Sequence, residues 1–298
     1  MAKARKLDKR RRSVRNIEKI TRTMELIATA RFRKAMDRAM AAAAFTGRIT
    51  QLVQELAAAG LEVSHPLLEP RAKKDRVLLL VLTSNRGLCG GYNGAVMRLA
   101  AAHYGQLKSQ YAALQLEMSG KRGISALRFR RIAMDTTYTH FEDKPRFDEV
   151  EVLADRYLAD FLAGQLDRVD VVYTKFITSS RQAAAVETLL PLQSLAADEG
   201  NNNDGQNRAR ITAKYEFLPS AESILDEVVP ASFKVRLFKC FLDAAVSEQI
   251  ARRVAMQSAT ENAKDMIRQL SMTYNRARQT QITNEIMEVI GGAEALNG

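Results

Sequence analysis

The sequence has no tryptophan, two cysteines and three histidines in 298 residues, and 6% of it is aromatic. Cys89 and Cys240 are 151 positions apart, which excludes a disulfide framework and a zinc motif of closely spaced cysteines. Such sparse cysteine fits a reducing compartment. Apolar runs such as residues 77–82 are strand-sized and far from the ~20 residues of a membrane-spanning helix. The first twenty residues lack the apolar centre of a signal peptide. They are Arg-rich, as mitochondrial transit sequences are, but the pattern runs on unbroken to about residue 58, and we read them as mature structure. Helix breakers are missing from both ends. All six prolines (66, 70, 145, 191, 219 and 230) lie in the middle, Gly47 is the one glycine before residue 60, and residues 231–290 contain neither type. At 1.5 Å per residue that last stretch allows a helix of about 90 Å, which implies a coiled coil, a bundle or a repeat.

What is present begins with charge. The 46% apolar and 27% charged composition is that of an ordinary soluble protein, and the length suggests about two domains. The net charge of +11 is unevenly placed. Residues 1–40 hold fourteen Lys/Arg against Asp8, Glu18, Glu25 and Asp37, a net of +10, so the other 258 residues sum to +1. A basic arm on a nearly neutral body calls for an acidic partner of that arm.

Apolar residues recur by threes and fours at both ends. Ile17, Ile20, Met24 and Ile27 begin one stripe, which continues through Ala28, Ala35, Ala39, Ala42, Phe45, Ile49, Leu52 and Leu56. Met256, Ala259, Ala263, Ile267, Leu270, Tyr274 and Ala277 form the other, continued by Ile282, Ile286 and Val289 after a one-residue shift. These are seam positions of a left-handed pair, and alanine at many of them predicts closely spaced axes. Both helices meet the middle segment, so they must pair antiparallel. The tail acids Glu285, Glu288 and Glu294 are then expected beside the basic residues 3–15.

The middle alternates strand and helix signals: strands at 76–83, 114–119, 169–178 and 184–190, helices at 92–110, from Lys121, and at 148–164. The expected fold class is α/β: a long antiparallel coiled coil of N- and C-terminal helices with an inserted Rossmann-like α/β domain whose sheet is largely parallel. The expected divisions are residues 1–60, 61–218 and 219–298. The polar run 200–207 (GNNNDGQN) reads as a loop.

Candidate chemistry is thin. The stretch 83–94 (TSNRGLCGGYNG) joins a strand to a helix, where glycine-rich turns bind phosphate, but its glycines do not match G-x-G-x-x-G and no ribose-binding acid follows. The stretch 119–123 (SGKRG) lacks the leading Gly and trailing Ser/Thr of a phosphate loop. His65, His103 and His140 read as isolated surface residues. Cys89, between glycines at a helix start, has no base identifiable in sequence. Two readings stay open on these features: a coiled-coil nucleic-acid-binding protein using residues 3–15 on phosphates, and a nucleotide-dependent α/β enzyme using residues 87–94.

Three stretches together resemble the gamma subunit of F-type ATP synthase, bacterial type: SVRNIEKITRTMELIATA at 13–30, SNRGLCGGYN at 84–93, and MQSATENAKDMIRQLSMTYNRARQTQITNEIMEVIGGAEAL at 256–296. Asn85 stands where that family usually has Asp. The resemblance implies a rotor: a coiled-coil shaft inside a ring of three alpha and three beta subunits, with a globular domain joined to the epsilon subunit and the membrane c-subunit ring. It implies no catalytic residue, cofactor, metal or nucleic acid, and a peripheral place on the cytoplasmic side of the inner membrane. It assigns ring contacts to Met24, Arg31, Arg33 and Lys34 on the first helix, and to Arg278, Gln279, Thr283 and Glu285 on the last. Tyr215, Glu216 and Phe217 would be the foot on the membrane ring, although Leu218-Pro219 replaces the family's Glu-Pro there. With two cysteines the chloroplast-type dithiol insertion is absent, so thiol control is not expected.

Overall fold

The structure, a computed structural model, describes residues 2–58, 66–68, 75–141, 144–192 and 221–297. The element order is α1 (Ala2–Ala58), β1 (Arg76–Leu82), α2 (Tyr92–Gln110), β2 (Ala113–Ser119), α3 (Lys121–Phe129), β3 (Thr136–Tyr138), α4 (Phe147–Leu162), β4 (Arg168–Thr178), β5 (Arg181–Leu190) and α5 (Ala221–Asn297). Two compact units result, one of Met1–Ala30 with Arg252–Gly298 and the other of Arg31–Ala251. Both long helices contribute to both units.

The larger unit is built on a five-stranded sheet of order β3-β2-β1-β4-β5. β1 pairs in parallel with β2 and β4, β2 in parallel with β3, and β5 closes one edge antiparallel to β4. From Val77 to Leu82 β1 is apolar because both of its faces are covered. Leu78, Leu80 and Leu82 enter a core with α4 and with Phe233, Leu237 and Phe241 of α5. Val77, Leu79 and Val81 enter the opposite core, with α2 and α3. A third cluster packs Ala35 of α1 on Val246 and Ile250 of α5.

α5 begins at Ala221 and carries Pro230 inside it. Val229 and Phe233 on either side are fully buried in the sheet core, and that packing outweighs the ~3 kcal/mol helix cost of a proline. The three-residue strand β3 was not expected. It is held by its parallel pairing to β2, not by any hydrophobic run of its own.

The smaller unit is an antiparallel two-helix pair. Thr260 donates to Thr21 Oγ1 at 2.9 Å, and Thr21 in turn donates to the Glu18 carbonyl at 3.1 Å. Farther along, the Arg11 guanidinium lies 4.8 Å from the centre of the Tyr274 ring. The seam on α1 keeps the expected Ala28 but not the expected isoleucines. Val14, Thr21 and Ala28 are buried, whereas Ile17, Ile20 and Ile27 are 52%, 58% and 47% exposed. Buried positions step by seven through small residues, which let the axes approach where isoleucine would hold them apart. On α5, Met256 and Ala263 are buried as expected, joined by Thr260.

Candidate functional site

Nothing in the sheet unit forms an open reactive site among the described residues. The glycine-rich loop after β1 and the turn before α3 sit at neighbouring strand ends, and they bond to each other. The Lys121 N–H donates to Asn85 Oδ1 (3.0 Å), Arg122 N–H to the Ser84 carbonyl (3.1 Å) and Gly123 N–H to Thr83 Oγ1 (3.0 Å). These are the helix-start donors that would otherwise cradle a phosphate, and all three are used internally. Gly120 has φ +100°, and a Cβ there would meet the Thr83 carbonyl oxygen at 2.1 Å, so the two turns are locked face to face. Asn85 also donates from Nδ2 to the Thr139 and Phe141 carbonyls at 3.1 and 2.9 Å. A carboxylate at this position could not make those two bonds.

Cys89 is buried in the same mesh, accepting from Asn93 Nδ2 at 3.1 Å. His103 is not an isolated loop residue. It lies on α2 with Nε2 2.6 Å from Asp170, a fully buried carboxylate that also accepts from Arg168 Nε at 2.8 Å. Burial, not an unpaired sequence position, fixes it. His140 packs its ring against Phe141, centroids 4.1 Å apart, and His65 lies outside the described residues.

Two buried polar clusters were not legible in sequence. Glu117, 3% exposed on β2, accepts from Tyr138 Oη (2.8 Å), Arg156 Nη2 (2.6 Å) and Tyr157 Oη (2.5 Å). Burial and the Glu117 charge push the Tyr138 hydroxyl up to about 12, so it stays a donor. Glu187 on β5 accepts from Tyr173 Oη (2.5 Å) and from Arg236 of α5 (3.2 Å). Those partners hold its carboxyl below the usual range despite burial, while desolvation raises the Cys240 thiol beside it. Asp243, one α5 turn on, is 5% exposed and pushed up to about 6 by burial, with Oδ2 unpaired among the described residues. The first two carboxylates are saturated by donors, which is the arrangement of a structural network. No group of three His, Cys, Asp or Glu among the described residues could hold a metal ion, and no described helix is long and apolar enough to cross a membrane.

The residues assigned to ring contacts lie on the long helices. In the two-helix unit Met24 is half-buried, and Arg278, Gln279, Thr283 and Glu285 are exposed. Arg31, Arg33 and Lys34 belong to the sheet unit, the first half-buried and the other two exposed. From the Thr21–Thr260 and Arg11–Tyr274 contacts, the start of α1 falls beside about residue 283 of α5. Met24 and Arg278 therefore stand roughly 30 Å apart along the pair and form two levels, not one site. Glu285 takes a bond from Gln281 of its own helix at 2.7 Å, and Arg11 and Arg12 pair with Asp8. Among the described residues the expected pairing of acidic tail with basic arm is not made. Glu294's side chain and the foot residues Tyr215, Glu216 and Phe217 lie outside the described residues, as does the 200–207 loop.

Toward the end of α5, Ile286, Met287, Val289 and Ile290 are between 49% and 72% exposed. Ile17, Ile20, Leu26 and Ile27 add exposed apolar surface on α1. So many large apolar side chains left in water mark a surface meant for a partner.

A family model described as ATP synthase matches residues 3–296. The ATP synthase gamma chain of Rhodopirellula baltica is 61% identical over the full length of both chains. That of Frankia casuarinae is 38% identical over 97% of this chain and 96% of its own. Among solved structures, a chain of the Euglena gracilis mitochondrial ATP synthase (OSCP/F1/c-ring, rotational state 3) superposes with a TM-score of 0.64 at 16% identity, covering 99% of this chain and 95% of that one.

Proposed function

The chain belongs to the ATP synthase gamma family, the central stalk of the rotary F1 complex, and on that premise we propose how its parts divide the work. The two-helix unit is the shaft within a ring of three alpha and three beta subunits. The sheet unit joins the shaft to the epsilon subunit and the membrane c-subunit ring, on the cytoplasmic side of the membrane. The chain does no bond chemistry itself. An asymmetric shaft inside a threefold ring makes the catalytic sites unequal at any instant, and turning it exchanges their affinities. The shaft works only by touching one conformation of each site more favourably than another, which is the energetic content of mechanical coupling. Proton-driven rotation then yields ATP, and hydrolysis drives the reverse.

The observation that carries this reading is the exposed end of α5, whose Ile286, Met287, Val289 and Ile290 suit an apolar collar around a turning axis. Met24, Arg31, Arg33 and Lys34 are assigned to contacts lower on the shaft, and Arg278, Gln279, Thr283 and Glu285 to the collar end. Tyr215, Glu216 and Phe217 are assigned to the foot. The domain limits 1–60, 61–218 and 219–298 belong to the same proposal.

The test is recovery of a tagged chain from gently solubilised membranes, assayed for ATPase activity and subunit stoichiometry. One copy with three pairs of large subunits and activity is the expected result. Recovery alone, or with nucleic acid while ATPase activity remains elsewhere, would overturn it.

A further inference from the structure

The end of α3 carries a feature that neither core of the sheet unit uses. Phe129, its last residue, is 90% exposed. Arg128, Arg130 and Arg131 around it are exposed, and none forms an ion pair with a described residue. The acids at this edge of the sheet, Asp75, Asp135 and Asp167, keep their charge, and two of them are oriented by backbone donors. Asp135 accepts from the Leu116 N–H at 2.7 Å, and Asp167 from the Asp75 and Arg76 N–H groups at 3.0 and 2.9 Å. The turn 128–131 itself carries three cations and no acid around one aromatic ring. The turn itself is unusual: Arg131 has φ +57°, and the Ile132 N–H closes back on the Leu127 carbonyl at 3.1 Å. Glycine normally occupies that left-handed position because it is unstrained there.

We propose that this knuckle docks an acidic protein segment, with the Phe129 ring seated in an apolar recess and the guanidinium groups of Arg128, Arg130 and Arg131 paired with carboxylates around it. All of the cations are arginine, whose planar fork matches carboxylates bidentately where lysine offers a point charge. Aromatic and arginine side chains are the residues that dominate binding energy at protein interfaces. The knuckle falls short of the roughly four to eight clustered Lys/Arg that bind an anionic bilayer. The helix dipole accounts for Arg128, in the last turn of α3, but not for Arg130 and Arg131 beyond it. The inference rests on the reading that the chain works within an assembled synthase, and the occupant is an acidic stretch of a neighbouring subunit there.

The test places the photoreactive residue benzoylphenylalanine at position 129 of the full chain and irradiates intact membranes. The tagged chain is then purified and the attached peptide sequenced. The expected product is one peptide from another subunit with Asp or Glu close to the attachment point. Arg130→Glu with Arg131→Glu should cut its yield by at least about tenfold, and replacing the partner's acids with lysine should restore it. These positions are exposed, so thermal melting of the variants is expected to be unchanged, which separates lost docking from lost folding. Attachment to lipid, to a peptide without acids, or to nothing would overturn the inference, as would a yield indifferent to charge reversal. ATPase activity co-purifying with an unattached chain would sink the docking surface alone. A chain purified without that activity would sink the shaft reading instead.

Discussion

In the sheet unit, each face of β1 is closed by helices, and buried carboxylates such as Glu117 and Glu187 end on donors from neighbouring elements. In the two-helix unit the seam is made of Val14, Thr21 and Ala28 against Met256, Thr260 and Ala263, while Ile17, Ile20, Ile27, Met272 and Met287 face water. Surface residues such as the 90% exposed Phe129 aside, one unit closes its core on itself. The other keeps its larger apolar side chains for something outside the chain. On the proposed function the difference separates stability from function: the polar clusters of the sheet unit hold the fold, and the exposed residues of the pair are the ones proposed to meet the partner.

The comparison would break first at Glu117. Glu117→Ala leaves the buried Tyr157 hydroxyl without its acceptor, and denaturant unfolding of the sheet unit should show a loss of about 3–5 kcal/mol. A loss below about 1 kcal/mol would mean that the network is not structural.

Asp243 sharpens the same side with a sign. Its folded pKa is raised from 3.8 to about 6 by burial, opposed by Lys239 and Lys175 and assisted by Glu187. The folded state therefore binds the proton more tightly than the unfolded chain. The stability this contributes is fully present below 3.8 and is lost as pH rises through about 6. Asp243→Asn should stabilise the protein by about 2 kcal/mol at pH 8, with the advantage gone below about pH 4. An advantage independent of pH would reject the assignment.

On the other side of the comparison the chain's own stability should hardly move. Met24→Lys adds a cation beside the basic face of the shaft. It should lower the protons pumped per ATP hydrolysed while leaving the melting of the free chain within about 1 °C; unchanged coupling contradicts the contact. Ile20→Ser, at a 58% exposed position, should change the free chain's stability by less than about 0.5 kcal/mol. A cost near that of a core residue would place Ile20 back in the seam.

Much of this was legible in sequence. The absence of Gly and Pro announced the long helices, and the apolar run at 77–82 announced a strand covered on both faces. The seam on α1 was partly misread because periodicity cannot tell which of two adjacent stripes is buried. The isoleucines carry the stronger apolar signal, but Thr21 and Ala28 allow the closer approach. Glu117 and Asp170 were invisible as network centres because their partners lie on elements remote in sequence, as Arg156 and His103 do. The ring-contact residues could be named only by resemblance, since exposed charge on a helix has the same pattern whether or not a partner meets it.

The most direct measurement is oxidative footprinting of methionines in the free chain and in the purified synthase. Met287 and Met272 are 63% and 62% exposed, and the fully buried Met118 serves as the internal reference. If the exposed residues of the two-helix unit are a bearing surface, Met287 oxidation should fall by at least about tenfold on assembly while Met118 stays protected in both. Equal oxidation of Met287 in the free chain and in an active complex would contradict the account.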